Sequence, residues 1–150
     1  MIDSIDFAKL VLKEAKTKSI ALNLTKLQKI IYICDGVLLA KFNLNIIGEN
    51  CQAWDYGPVY PKVYKWFSKQ NMNNIDFTTS QNTNDIIKQH TDIIDVINAV
   101  LDKFGNMTAK SLSNWSHQIG SPWDITRNTT GIYSQISKDV IKLFFKSELK

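Results

Sequence analysis

The residues from Thr25 to Phe42 place a hard limit on what this chain can fold into. Leu27, Ile30, Ile31, Cys34, Val37, Leu38 and Phe42 recur at three- and four-residue intervals, the period of one helical face. Thr25-Lys26-Leu27-Gln28 carries the Thr-to-Gln spacing of a capping box. The spacing therefore predicts a long helix starting near Thr25. Its apolar face is broad and nearly unbroken, so other elements must cover it and the helix should be central. Gly36 lies inside it, which costs about 1 kcal/mol against Ala and is best tolerated where another helix packs closely.

Helical periodicity continues on both sides. Phe7, Ala8, Val11, Leu12 and Ala15 form a first stripe, capped by Asp3 or Ser4. Val63, Tyr64, Trp66 and Phe67 form a third, starting at Val59 or Pro61. Thr91 should cap a helix with Ile93, Ile94, Ile97, Val100, Leu101 and Phe104, closed by Gly105 as a left-handed cap. Thr108 should start the next, with Leu112, Trp115 and Ile119. Ser121-Pro122-Trp123-Asp124 opens a short one, with Ser at the cap and Pro at the first position. Ser137 precedes a last helix turning Val140, Ile141, Phe144 and Phe145 inward. Residues 70–91 are rich in Asn, Thr, Ser and Gln and read as a long loop with room for one short strand near Ile75 and Phe77. The expectation is a mainly α fold: one compact domain over 1–150, a bundle of six to seven helices with room for one or two short strands.

Two segments break this pattern. Ala53-Trp54-Asp55-Tyr56-Gly57-Pro58-Val59-Tyr60-Pro61 packs three aromatics, two prolines and a glycine into nine residues. Pro58 and Pro61 fix φ and restrict the residues before them, so the corner is stiff. Trp115-Ser116-His117-Gln118-Ile119-Gly120-Ser121-Pro122-Trp123 is a second such knot. In the first, Trp54 is expected to plug the core, while Gly57, Pro58 and Pro61 set the entry angle of the third helix. Tyr56, Tyr60 and Tyr64 are expected partly outside, as anchors for a partner, because Tyr buries much area at low entropic cost. Tyr60 and Tyr64 are four apart, hence on one helical face. In the second knot His117 ends its helix, bonding a nearby carbonyl, or joins Pro122 and Trp123 in a binding edge beside the first corner.

Composition narrows the chemistry. The formal net charge is +4, but the basic residues are seventeen Lys and one Arg, beside thirteen Asn. That skew reflects a Lys- and Asn-rich coding habit more than phosphate recognition, which enlists Arg. Lys138, Lys142, Lys146 and Lys150 repeat every fourth residue, a stripe that could meet phosphates or an acidic partner and is more simply a solvated face. Cys34, Cys51, His90 and His117 lack the paired spacings of a zinc site. Ser113, His117 and Asp124 spell a hydrolase triad in letters only, since a mid-helix Ser offers no strained turn and no oxyanion hole. No Gly-rich phosphate loop or paired-carboxylate signature is present. The expectation is therefore a chain with no catalytic residue, metal or cofactor. No apolar run is long enough to cross a membrane and no basic-then-apolar leader opens the chain, so the expected residence is cytoplasmic.

Three strings carry a family resemblance: Leu27-Gln28-Lys29-Ile30-Ile31-Tyr32; Ala53-Trp54-x-Tyr56-Gly57-Pro58-Val59-x-Pro61-x-Val63-Tyr64; and Leu112-Ser113-x-x-Ser116-His117-x-x-x-x-Pro122-Trp123. Together they resemble the SocA-like antitoxin domain, also called Panacea, over nearly the whole chain. Where many relatives carry a Gln-Gly step after the Leu-Gln-Lys run, this chain has Asp35-Gly36. The resemblance implies a compact helical fold and a non-enzymatic module that neutralises a cognate toxin, encoded nearby, by blocking it or delivering it to a protease. Contact with operator DNA, or a phage-associated regulatory role, is the alternative it implies. Tyr56, Tyr60, Tyr64, His117 and Trp123 are the expected partner-binding residues; Trp54, Gly57, Pro58, Pro61 and Pro122 are the expected framework.

Overall fold

A computed structural model describes residues 1–149. Among these residues there are a two-stranded hairpin and eight helices, where six or seven were expected. They are α1 (Ser4–Thr17), α2 (Leu24–Phe42), α3 (Pro61–Phe67), α4 (Gln81–Gln89), α5 (Asp92–Phe104), α6 (Ala109–Ser116), α7 (Pro122–Thr129) and α8 (Lys138–Glu148). The strands, β1 (Gln52–Trp54) and β2 (Gly57–Val59), pair antiparallel with Gln52 opposite Val59 and Trp54 opposite Gly57. The fold class is mainly α, as the periodicity required.

The central helix is α2. Every residue from Leu27 to Gly36 is buried, and α1, α3, α5, α6, α8 and β2 all pack on it. Its start is not the capping box. Asn23 is the N-cap, and its side chain accepts the Lys26 N–H at 2.9 Å. Gly36 supplies the close approach expected of it: a Cβ there would lie 2.2 Å from the Phe145 ring of α8. The other starts follow their caps, with Asp3, Thr108, Ser121 and Ser137 each accepting a backbone N–H from the first turn. Thr91 makes no such bond, and Gly105 keeps a right-handed φ of −63° instead of forming a left-handed cap.

The segment read as a long loop holds α4 and no strand. Its cap is built from afar: Asp6 of α1 accepts from the Ser80 N–H at 3.1 Å and the Thr83 hydroxyl at 2.6 Å. The connector after α7 lies against the free edge of β1. Ala53 N–H donates to Ser134 O, Tyr133 N–H to Ala53 O, and Ile136 N–H to Cys51 O, all at 2.8–2.9 Å. Strand β1 is thus paired on both sides, by β2 and by the connector, before its side chains are considered.

Candidate functional site

The two sequence knots meet in space, and α2 holds the first from beneath. The Gln28 side chain acts as a two-point clamp: its Oε1 accepts the Tyr60 N–H at 2.7 Å and its Nε2 donates to Tyr60 O at 3.2 Å. Two residues earlier in the chain, Pro58 O accepts from Lys29 Nζ at 3.3 Å. Gly57 makes room for this: at φ +117° its missing Cβ would stand 2.5 Å from both Lys29 Cε and Ser116 Oγ. Lys29 is 1% exposed, and burial pushes its ammonium down to about 8.

Tyr60 is fully buried, which corrects the expectation that it stands outside as a binding anchor. It occupies the N-cap position before Pro61, so strand register and not the helical face of Tyr64 decides its direction. Its hydroxyl donates to Asp35 Oδ2 at 2.8 Å, and Lys138 Nζ, arriving from α8, meets the same oxygen at 2.5 Å. Burial raises the Asp35 carboxyl above its ordinary range, opposed by Lys138 and Tyr60. The neighbouring Cys51 thiol is pushed up to about 12 by burial and by the Asp35 charge. It behaves as a small core residue.

Trp54 takes the opposite role to the one expected. Alternation along β1 sends Ala53 inward, so Trp54 lies half-buried on the outer face instead of plugging the core. Its ring meets Tyr64 edge-on at 5.1 Å and Tyr133 at 5.6 Å. Its Nε1 donates to Gln52 Oε1 at 2.9 Å. Tyr56, at the hairpin tip, is 73% exposed, and Tyr133 and Tyr64 are 53% and 44% exposed.

The second knot docks beside this cluster. Trp123 Nε1 donates to Trp54 O at 2.6 Å. The His117 ring stacks on Trp123 at 3.8 Å with the planes 12° apart, and the Arg127 guanidinium lies 4.8 Å from the same indole. Arg127 also reaches Trp54 O at 3.4 Å and Asp55 at 3.3 Å. Partial burial, then the positive charges of Lys29 and Arg127, hold His117 below its usual range, so its imidazole is neutral at pH 7. Its Nε2 is buried without a hydrogen-bond partner. Ser121 caps α7, and Pro122 is buried at its first position.

Tyr64, Trp54, Tyr133, Trp123 and Arg127 form a connected outer surface, with Tyr56 exposed at the tip of the same hairpin. Of the residues expected to bind a partner, Tyr56, Tyr64 and Trp123 lie on this face, His117 stacks on Trp123 with its Nε2 buried, and Tyr60 lies in the core; Tyr133 and Arg127 were not foreseen. Neither has a local signal: Tyr133 is set by a left-handed φ of 63° after Gly131, and Arg127 by its reach to the hairpin. The letters of the hydrolase triad do not assemble into a relay. The Asp124 carboxylate accepts the Gly120 N–H and the Asn128 amide, at 2.9 and 3.0 Å, and the Ser113 carbonyl accepts the Ser116 hydroxyl at 2.8 Å. The lysine stripe is also reassigned in part. Lys138 is turned into the core, and Lys142 donates to Asn43 Oδ1 at 2.5 Å. Lys150 lies outside the described residues. No helix among the described residues is long and apolar enough to cross a membrane.

Comparison with known proteins agrees with the three strings. The family model described as "Antitoxin SocA-like, Panacea domain" matches residues 27–124, a span from the start of the buried part of α2 to the first turn of α7. The protein named Antitoxin SocA from Caulobacter vibrioides (strain NA1000 / CB15N) is 30% identical over 137 residues, covering 87% of this chain and 73% of that protein. No solved structure gives a significant match. With Gln28 and Lys29 clamping the Tyr-Gly-Pro-Val corner and the His…Pro-Trp knot docked against it, the chain belongs to the SocA-like antitoxin family, the Panacea domain.

Proposed function

We propose that this chain neutralises a protein toxin by direct contact through the aromatic surface around the hairpin. The observation that supports it most is the exposure of Tyr56, Tyr64 and Tyr133 around Trp54, whose hairpin is hydrogen-bonded along the outer edge of β1 and clamped by Gln28 and Lys29 at β2. Exposed aromatics on a rigid frame are the usual anchors of protein interfaces, because little freedom is lost when they are covered. An interface of ordinary size would bury roughly 1,200–2,000 Å² in total, with Tyr56 and Trp54 central. Lys65 and Lys69 would form the rim. Membership of an antitoxin family supplies the class of partner. Binding to operator DNA draws less support, since two of the four stripe lysines are engaged within the fold.

The test is a growth-rescue assay with the reading frames that flank the gene. One of them should arrest growth alone and be rescued by co-expression of this chain. Tyr56→Ala and Tyr64→Ala should abolish rescue while leaving the thermal midpoint within ~2 °C, the size expected of a surface change. The toxin's half-life, measured in the same cells, separates occlusion from delivery to a protease. Rescue by both variants at wild-type strength, or the absence of any toxic neighbour, would sink the proposal.

A further inference from the structure

A second surface lies on the other side of α6. Trp115 and His117 are two residues apart, so they leave the helix in nearly opposite directions: His117 joins the hairpin surface, and Trp115 floors a separate cleft. This cleft has a volume of about 450 Å³, within the range of specific binding sites. Ile33 and Val37 of α2, Phe104 of α5 and Phe145 of α8 are among the other apolar residues that line it.

One wall is α5, presenting Asp95, Ala99 and Lys103 in line at four-residue spacing. Eight residues of helix span about 12 Å, or two turns. Lys26 of α2 donates to Gly105 O at 2.7 Å, so α5 runs antiparallel to α2 and Asp95 points toward the C-terminal end of α2. Glu148 and Leu149 close the cleft there, with Leu149 next to Lys41. Neither Asp95 nor Glu148 has an ion-pair partner among the described residues. Lys103 sits alone at the far end, its ammonium 5.5 Å from the Phe104 ring, and Lys41 at the acidic end lies 5.7 Å from the Phe42 ring. The cleft is apolar along its length; of the charged residues that line it, Asp95 and Glu148 outnumber Lys41 at one end and Lys103 stands at the other, with Lys146 in the adjoining hollow beside Lys41 and Leu149.

We infer that the α2–α5–α8 cleft is a docking groove for a two-turn amphipathic helix of a partner protein, apolar on one face, with a basic residue at one end and an acidic residue at the other. The charges decide the class of occupant. A single-headed amphiphile such as a fatty acid carries charge at one end only and would leave the other end unmatched. A helix carries side-chain charges at both ends and places apolar residues i, i+3, i+4 and i+7 against a floor of this length. Ala99, small and exposed at the middle of the wall, lets the backbones approach to the 8–10 Å typical of packed helices. This groove is distinct from the hairpin surface, so its fate does not depend on the toxin reading.

The experiment uses the full chain and a fluorescein-labelled, hydrocarbon-stapled 14-residue helix with leucines at i, i+3, i+4 and i+7, one Lys at one end and one Glu at the other. A second probe has the Glu replaced by Lys. Fluorescence anisotropy should show the mixed-charge probe binding at least five-fold more tightly than the all-basic one. Lys103→Glu should invert that preference, and Ala99→Arg should abolish binding of both, with thermal midpoints unchanged because both positions are exposed. Three results would overturn the inference: no saturable binding, equal affinity for both probes in wild type and Lys103→Glu, or self-association in light scattering that Ala99→Arg abolishes. Competition by palmitate at stoichiometric concentration would reassign the cleft to a lipid-like ligand and equally defeat it.

Discussion

Removing Lys138 should reveal how the last helix is fastened. Lys138 Nζ meets Asp35 Oδ2 at 2.5 Å, where the two side chains are 13% and 1% exposed. It also donates to Ile47 O at 3.3 Å. Lys138→Met keeps the length and apolar stem but leaves the Asp35 carboxylate buried with one remaining donor, the Tyr60 hydroxyl. Breaking one side of a buried pair costs about 3–5 kcal/mol, which for a chain of this size lowers the thermal midpoint by roughly 6–20 °C. The loss should depend on pH. Folding raises the Asp35 carboxyl, chiefly by burial, so protonation favours the fold. The penalty for the ionised carboxylate is absent below its unfolded value near ~3.9 and grows as pH rises through the folded value. Without Lys138 the folded value climbs further, so the variant's deficit should be largest at pH 7.5 and shrink on acidification to pH 5. Urea unfolding at both pH values measures this directly. Asp35→Leu in the Lys138→Met background should recover most of the loss, because a buried pair replaced by apolar groups is close to neutral. A deficit under 1 kcal/mol, one that does not change with pH, or strictly additive single variants would refute the reasoning.

Lys29 gives a second titration with the opposite slope. Its folded value of about 8 lies below an unfolded value near ~10.4, so the unfolded chain binds more protons between those limits and wild-type stability should rise with pH across them. The gain is about 3 kcal/mol at its end, and Lys29→Met should lack it; parallel stability curves for the two proteins from pH 7 to 10.5 would contradict the buried ammonium. Gly57→Ala should cost about 2–4 kcal/mol, combining strain at φ +117° with a Cβ 2.5 Å from Lys29 Cε. Lys29→Ala in the same chain should relieve only the share of the clash that falls on Lys29, since Ser116 Oγ lies equally close, and a Gly57→Ala protein as stable as wild type would show that the corner is looser than described.

Most of the fold was legible because its helices carry an apolar period, and α1, α6, α7 and α8 add a side chain that caps the first turn. The helix that was missed, α4, has few apolar residues, with Ile86 and Ile87 only half-buried, and its Ser80 cap is itself held by Asp6, 74 residues away. The site was legible as a place but not as an orientation. Tyr60 and Trp54 exchange the roles expected of them because a three-residue strand precedes the helix. A period of two governs Ala53 and Trp54, and the turn into Pro61 aims Tyr60 at Asp35. Spacing alone treats Tyr60 and Tyr64 as partners on one helical face, when only Tyr64 is on the helix surface. Tyr133 and Arg127 arrive through tertiary docking, which no local pattern encodes.

Burying Gln28, Lys29 and Asp35 on the most central helix is an expensive way to hold a hairpin whose strands are three residues long. Apolar residues there would pack more cheaply, since buried charges rarely add net stability. What they would not do is fix direction. A pair of strands this short has too few side chains to specify its own register, and a slip of one residue would carry Trp54 inward and Ala53 outward. The Gln28 clamp accepts only one backbone position, the amide and carbonyl of Tyr60. Lys29 accepts one carbonyl, that of Pro58, and the Tyr60 hydroxyl must reach Asp35. Each polar contact is lost in the slipped register and leaves a buried group unsatisfied, so the cost of the wrong arrangement greatly exceeds the gain from the right one. Stability is exchanged for a single orientation of the outer aromatics, and a surface fixed before a partner arrives loses little entropy on binding.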